Sequence, residues 1–321
     1  MSDVHTPFLT LTPAFHERVW GGQRLRPSTP PVGEAWIVHD DSRVASGPHA
    51  TRTLAELTRE DPTGVLGTDV AARHGARFPL LVKLLDCADW LSVQVHPNDE
   101  QARRLVGEDE FGKTEAWYFL DVEEGATILA GVREGVSAAA LEGAIRGGRV
   151  LDVAQRQTVS AGDTVFIPAG TLHALGPGML LYEVQQSSDT TYRVYDWDRP
   201  ASAGRRLHLD ESVAVTDPEG RAVRVPDEAP DVTGVRSTAV CPYFELDVLD
   251  LVGTPLGGDT AGRSFHVLTV AQGTVTVTHA RGEVRLAERG TVVVRGDAGE
   301  YTLSADGGNA RVLRASVPHA R

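Results

Sequence analysis

A β-type unit occurs twice along this 321-residue chain, and the duplication limits the available folds more than any other feature. Ala116-Trp-Tyr-Phe-Leu-Asp-Val122-Glu-Glu-Gly125 resembles Ser264-Phe-His-Val-Leu-Thr-Val270-Ala-Gln-Gly273. Further on, Gly162-Asp-Thr-Val-Phe-Ile-Pro168 resembles Gly290-Thr-Val-Val-Val-Arg-Gly296. Each copy reads as a strand, a glycine turn, and later a second glycine turn that enters another strand. The two glycines are 37 residues apart in the first copy and 17 in the second. The 20-residue excess matches the stretch Ser137–Arg156, where an Ala-rich run places Leu141 and Ile145 at helical spacing. The first copy is therefore expected to carry a helical insertion at about 131–156.

A strand, a glycine turn, a second strand and then Gly-Asp leading into strand-Pro-x-Gly is the signature of a small double-stranded β-helix, the cupin barrel. The expected fold is mainly β, with two cupin-type, jelly-roll barrels and a small helical insertion in the first. Strands are expected at Leu80–Leu85, Leu91–Val95, Ala116–Val122, Thr164–Ile167 and Met179–Val184, and again at Tyr243–Leu251, Phe265–Val270, Thr274–Thr278, Thr291–Val294 and Ala310–Ala315. Helical character appears at Leu54–Leu57, Asp99–Val106 and Ser137–Arg146. Residues 1–216 are expected to form a catalytic metal-binding domain and residues 237–321 a C-terminal barrel without metal ligands. The Pro-, Gly- and acid-rich segment 217–236 reads as a linker.

The first copy contains Gly162-Asp-x4-Pro168-x-Gly170-x2-His173, which resembles the cupin motif whose histidine points into the barrel as a metal ligand, a role the resemblance implies for His173. Counting from Gly290, the second copy has Tyr301 at that place, so its barrel is expected to be structural. In Leu91-Ser-Val-Gln94-Val-His96, period-2 alternation puts Gln94 and His96 on one face, and Glu115 opens the next strand. Each histidine alone reads as a hydrogen-bonded structural residue. Two histidines, a carboxylate and an amide at matching barrel positions read as one zinc ion's ligand set with open positions.

Of 31 basic residues only Lys83 and Lys113 are lysine. A chain this rich in arginine keeps lysine where a compact ammonium, able to enter a tight pocket or lose a proton, is needed. The formal net charge of −13 makes nucleic acid and anionic membrane poor partners, so an anionic substrate needs a local basic pocket. Cys87 and Cys241 read as separate reduced thiols. Met1–Phe15 has no leader pattern and no apolar run approaches the roughly 20 residues of a spanning helix, which points to a cytoplasmic protein.

Several segments are similar to type I mannose-6-phosphate isomerases. They are Val19-Trp20-Gly21-Gly22, Gly33-Glu34-Ala-Trp36, Phe78-Pro-Leu-Leu-Val-Lys83, Leu91–Asp99, Gly112-Lys113-Thr-Glu115-x-Trp117-Tyr118, Ile167–Ala174 and Tyr182-Glu-Val-Gln-Gln-Ser-Ser-Asp189-Thr-Thr-Tyr-Arg193-Val-Tyr-Asp196-Trp. The resemblance runs from about Phe8 to Leu209, and the closing Gly299–Leu303 resembles the short bacterial form. It implies zinc-dependent interconversion of mannose 6-phosphate and fructose 6-phosphate through an enediol, and carries the ligand roles onto Gln94, His96, Glu115 and His173. Where relatives have Glu and a Ser-rich stretch after Gly-Glu-x-Trp, this chain reads Ile37–Ser42, a change expected to alter one wall near the site.

On this resemblance Arg193 is the fixed cation that stabilises developing negative charge, Lys113 a proton shuttle, and Asp189 a group for ring opening or for orienting Lys113. Lys83, Ser92 and Arg193 are expected at the phosphate, and Trp20 and Trp36 against the sugar, while Trp117 and Trp197 read as core. Asn98 and Asp99 read as helix caps. The partner is a hexose phosphate, bound by a monomer or small homo-oligomer. The competing readings are a cupin isomerase for another hexose phosphate, which has His in the place of Gln94, and a non-catalytic sugar-phosphate sensor, which would carry an appended DNA-binding segment.

Overall fold

A computed structural model of the chain describes residues 6–200, 205–228 and 231–319. Parts of the expected N-terminal segment, first domain, linker and C-terminal barrel (1–5, 201–204, 229–230 and 320–321) lie outside the described residues. The protein is mainly β. Its contacts group into two compact units, Phe15–Ala35 with Lys83–Asp227, and Met1–Ala14 with Trp36–Val82 and Glu228–Arg321. Residues Trp36–Val82 thus group with the C-terminal residues rather than with the rest of the segment 1–216.

The duplicated sequence unit is a duplicated pairing pattern. In the first unit the strands run in the order Thr164–Ile167, Glu115–Val122, Met179–Gln186, Leu80–Cys87. In the second they run Thr291–Val294, His266–Gln272, Ala310–Ser316, Glu245–Leu251. The smaller sheets repeat as well. Val93–Val95, His173–Leu175, Thr127–Val132, Ala154–Thr158 in one corresponds to Leu256–Asp259, Glu300–Ala305, Val275–His279, Gly282–Leu286 in the other. The hairpin Val275–His279 to Gly282–Leu286 closes tightly. Its counterpart, Thr127–Val132 to Ala154–Thr158, holds the helix Ala138–Arg146, capped by Ser137 Oγ accepting from Ala140 N at 3.2 Å. This is the expected insertion.

The buried faces form separate clusters. Trp117, Phe119, Ile128, Val165 and Leu181 belong to one, Val93, Leu129, Leu141, Ile145 and Val194 to a second, and Leu249, Leu268, Val277, Val292 and Leu303 to a third in the other unit. Strand positions were legible where hydrophobic alternation was strong. The linker was not: within it Val223–Val225 adds to the sheet beside Thr164–Ile167, and Arg224 Nε meets Asp163 at 2.8 Å. A short edge strand among Pro, Gly and Asp leaves little hydrophobic pattern to read. The helices Pro62–Leu66, Thr68–His74 and Leu209–Val215 were also missed, each too short for a clear period. Among the described residues no helix is long and apolar enough to cross a membrane, and both cysteines are free.

The second unit differs from the first at the positions expected to be ligands. Tyr301 pairs with Gly258 where, in the first, His173 pairs with Gln94. Tyr301 OH shares a 2.7 Å hydrogen bond with His266 Nδ1. Burial pushes the Tyr301 phenol up to about 12 and the His266 imidazole down to about 3, helped in the second case by Arg314 and His319. The unfolded chain then holds the extra proton between about pH 6.5 and 3, so this residue's share of stability is complete above 6.5 and is lost as pH falls. We expect His266→Gln to flatten the fall in thermal midpoint from pH 6.5 toward 4 relative to the parent. An unchanged slope would show that His266 is not held neutral.

Candidate metal centre

His96, Glu115 and His173 are all buried, and one ligand atom from each lies within 4.8 Å of the others. Three backbone features place them. Gln94 pairs directly with His173 and with Arg193 across the small sheet. Gly170, at φ 83°, donates its N–H to the His96 carbonyl at 2.8 Å, so the Pro-x-Gly turn joins the two histidine segments. Gly112 lies so close to the Asn98–Asp99 backbone that a Cβ would sit 2.5 Å from it. Its N–H donates to Asp99 Oδ1 at 2.8 Å, delivering Lys113 and Glu115 to the site. Asn98 caps the helix Asp99–Leu105 in a reciprocal pair with Gln101, as expected, whereas Asp99 ties Gly112 and, at 2.8 Å, Gln186 Nε2.

The donor set is arranged for a cation. His96 Nδ1 contacts the Thr190 carbonyl at 2.9 Å and His173 Nδ1 the Thr171 carbonyl at 2.8 Å. A carbonyl only accepts, so Nδ1 carries the proton in each ring and both Nε2 lone pairs face the centre. Burial lowers both imidazole pKa values, His96 most strongly with Lys113 and His173 adding to the effect, so both are neutral near pH 7. His96 Nε2 and both Glu115 carboxylate oxygens are buried without a hydrogen-bond partner. Glu115 Oε1 lies 3.3 Å from His173 Nε2, and Oε2 lies 3.6 Å from His96 Nε2. Tetrahedral ligands about 2.1 Å from zinc stand roughly 3.4 Å apart, so these spacings fit such an ion. Gln94 Nε2 is 3.3 Å from His173 Nε2, and the amide turned over offers Oε1 at the same point.

A cavity of about 370 Å³ opens beside this cluster, lined by Gln94 and Lys113 on that side and by Arg18, Trp20, Glu34, Lys83, Glu183, Asp189, Arg193 and Arg205 elsewhere. Lys113 Nζ lies 3.2 Å from Glu115 Oε2, just before the strand Glu115–Val122 begins. Asp189 is exposed within the cavity, and Arg193 presents a buried Nε without a hydrogen-bond partner. Lys83 Nζ is 3.0 Å from Glu183 Oε1, and Glu183 Oε2 accepts from Trp117 Nε1 at 2.9 Å. The pair holds itself charged: Glu183 raises the buried Lys83, and Lys83 with Lys113 lowers Glu183 against the cost of burial.

Three expectations change. Ser92 is fully buried and is not on the cavity wall; its hydroxyl accepts from Arg205 Nη2 at 3.1 Å and lies 3.5 Å from Gln94 Oε1. Trp36 is also absent from the wall and packs edge-on against His39 with ring centroids 5.0 Å apart. The His39–Ser42 segment is a turn, with His39 N donating to Ser42 Oγ at 3.0 Å, and none of its residues lines the cavity. Trp20 does line it. Trp117 is core, yet it also meets His173 edge-on at 5.5 Å. Glu183, Glu34, Arg18 and Arg205 were not singled out from the sequence. Glu183 left one signal, an acidic residue inside an eight-residue strand, Met179–Gln186, buried throughout.

Residues 8–121 match the phosphomannose isomerase type I catalytic domain. The chain is 36% identical over 283 residues to a mannose-6-phosphate isomerase of Streptococcus mutans, covering 84% of this chain and 87% of that protein. It is 37% identical to the mannose-6-phosphate isomerase ManA of Bacillus subtilis, covering 77% and 80%. The crystal structure of the mannose 6-phosphate isomerase from Bacillus subtilis superposes with a TM-score of 0.83 at 31% identity, over 96% of this chain and 99% of that one. With relatives matched over most of their own length, the chain belongs to the type I phosphomannose isomerase family.

Proposed function

We propose that this protein is a zinc-dependent aldose–ketose isomerase that interconverts mannose 6-phosphate and fructose 6-phosphate through an enediol. One observation carries the reading: a buried carboxylate and two neutral imidazoles turn their ligand atoms to one point, those of Glu115 and His96 without a hydrogen-bond partner, beside a polar cavity holding Lys113, Asp189 and Arg193. A buried carboxylate whose one cationic partner is the Lys113 ammonium, 3.2 Å from Oε2, still has an oxygen facing two neutral imidazoles, and a divalent cation satisfies all of them together. The repeated sheet pattern supports assigning a cupin-type barrel to each unit, the first catalytic and the C-terminal one structural. The two free thiols fit a cytoplasmic enzyme.

His96, His173, Glu115 and Gln94 would hold one zinc ion, which when bound polarises the sugar oxygens at C1 and C2 and offsets negative charge there. The remaining work falls to the chain's own groups. Lys113 Nζ, between Glu115 and the cavity, moves a proton at the C1–C2 edge. Arg193 is a permanent cation that stabilises charge on the enediol oxygens. Asp189, at the exposed side of the cavity, serves ring opening or orients Lys113. Lys83 and Glu183, already paired, present a fixed donor and acceptor to sugar hydroxyls, and Trp20 gives the ring an apolar face.

A coupled assay of mannose 6-phosphate conversion, with glucose 6-phosphate in parallel, tests the reading. We expect turnover of mannose 6-phosphate that chelation abolishes and zinc restores. Turnover undiminished by exhaustive chelation would remove the metal from the proposal, and no turnover by the zinc-loaded protein would remove the isomerase. Lys113→Ala and Arg193→Ala should each lower kcat by about 10² to 10⁴, with zinc content unchanged, as expected for proton transfer and charge stabilisation. A variant that changes only KM would assign that residue to binding instead. Because both histidines are held neutral by burial, zinc content measured after dialysis should be constant from pH 8 to about 6.5 and fall as acid protonates the ligands.

A further inference from the structure

We propose that Arg205 is the anion anchor of the cavity, gripping the phosphoryl group of the substrate, while Ser92 and Asp196 hold its guanidinium in place. For the identity of the anion this rests on the sugar-phosphate reading above. The argument is one of matching cations with carboxylates. Five basic side chains line the cavity. Lys83 is committed to Glu183 at 3.0 Å and Lys113 lies 3.2 Å from Glu115. Arg18 forks onto Glu34, with Nε–Oε1 at 2.8 Å and Nη2–Oε2 at 3.3 Å. Arg193 has no carboxylate partner among the described residues, and Arg205 has only a 3.4 Å share of Asp196, which Arg199 holds at 3.0 Å. The Arg193 Nε is buried without a hydrogen-bond partner.

Arg205 is held from behind. Its Nη2 donates to Ser92 Oγ at 3.1 Å, and its Nε lies 3.4 Å from Asp196 Oδ2, a carboxylate that Arg199 already engages at 3.0 Å. Its side chain is only 17% exposed, which fixes the planar fork instead of leaving it to sample solvent. A guanidinium has five N–H donors, and these contacts leave several to face the cavity. Burial lowers the Arg205 pKa, and Arg193, Arg199 and Arg18 push in the same direction against Asp196. An incoming anion relieves that crowding of positive charge. Ser92 also lies 3.5 Å from Gln94 Oε1, and Gln94 is 3.3 Å from His173, so a short chain of side chains links the anchor to the metal centre. A hexose 6-phosphate needs such an arrangement, with an anion grip at one end and C1–C2 at the metal. Arg205 thus takes the place of Lys83, Ser92 and Arg193 in the expected phosphate set, and Ser92 becomes a positioning residue.

The test uses the zinc-loaded full chain, with mannose 6-phosphate as substrate and inorganic phosphate as competitive probe. Arg205→Gln should raise KM and the phosphate Ki together by roughly 10- to 100-fold, the range for a charge-assisted hydrogen-bonded grip, with kcat little changed. Arg205→Lys, which keeps the charge but loses the fork, should fall between the two. Arg206→Gln removes an exposed neighbouring charge and should change neither constant. Ser92→Ala should raise the phosphate Ki several-fold and leave the zinc content intact. If Arg205→Gln does not fold, Arg205→Lys decides. An unchanged KM and phosphate Ki in the folded variant overturns the assignment. If the parent turns over no mannose 6-phosphate, the isomerase reading fails, and calorimetric titration of inorganic phosphate into parent and variant still decides Arg205. Equal affinity overturns the anchor and weakened affinity in the variant supports it.

Discussion

A carboxylate with no exposed surface and no geometrically sound hydrogen bond on either oxygen is expensive, and Glu115 is such a group, with only the Lys113 ammonium 3.2 Å from Oε2 to offset its charge. Much of the first unit's local architecture converges on it. The Pro-x-Gly turn brings His173 to one oxygen, the register of Val93–Val95 brings His96 to the other, and the Gly112–Asp99 contact sets the height of the strand that carries Glu115 itself. The same arrangement keeps both imidazoles neutral with their lone pairs inward. Such a cluster is poor as packing and good as a cation site, which is why the local structure and the proposed chemistry agree.

The cavity extends the same economy of charge. Three of its five cations are paired inside the wall, Lys83 with Glu183, Lys113 beside Glu115 and Arg18 with Glu34, so a chain of net charge −13 presents fixed dipoles and two arginines there and not a diffuse basic patch. Buried pairs of this kind contribute little to stability on their own but hold donors and acceptors in known places. Trp117 shows how one core residue serves the site, hydrogen-bonding Glu183 while packing edge-on against His173.

The duplicated unit shows what the chemistry requires. The second copy keeps the strand order, yet Gly258 and Tyr301 stand where Gln94 and His173 do in the first, and His266 is held neutral against Tyr301. A sheet pattern tolerates these exchanges because it depends on backbone pairing and alternating apolar positions. A metal site does not, because each ligand contributes a specific lone pair.

The sequence alone determined the duplication, the helical insertion, ten of the strands and the residues Gln94, His96, Glu115 and His173, because period-2 alternation and glycine turns are local signals. Only the tertiary structure decided which charges face one another. Glu183 and Arg205 are 100 and 122 residues beyond Lys83, and nothing local announces that one neutralises that lysine and the other joins it on the cavity wall. Ser92 and Trp36 look equally polar or aromatic from either side, and only the packing shows that neither reaches the cavity. The edge strand Val223–Val225 likewise owes its existence to the partner strand Thr164–Ile167, since an edge strand in a breaker-rich segment has no pattern of its own.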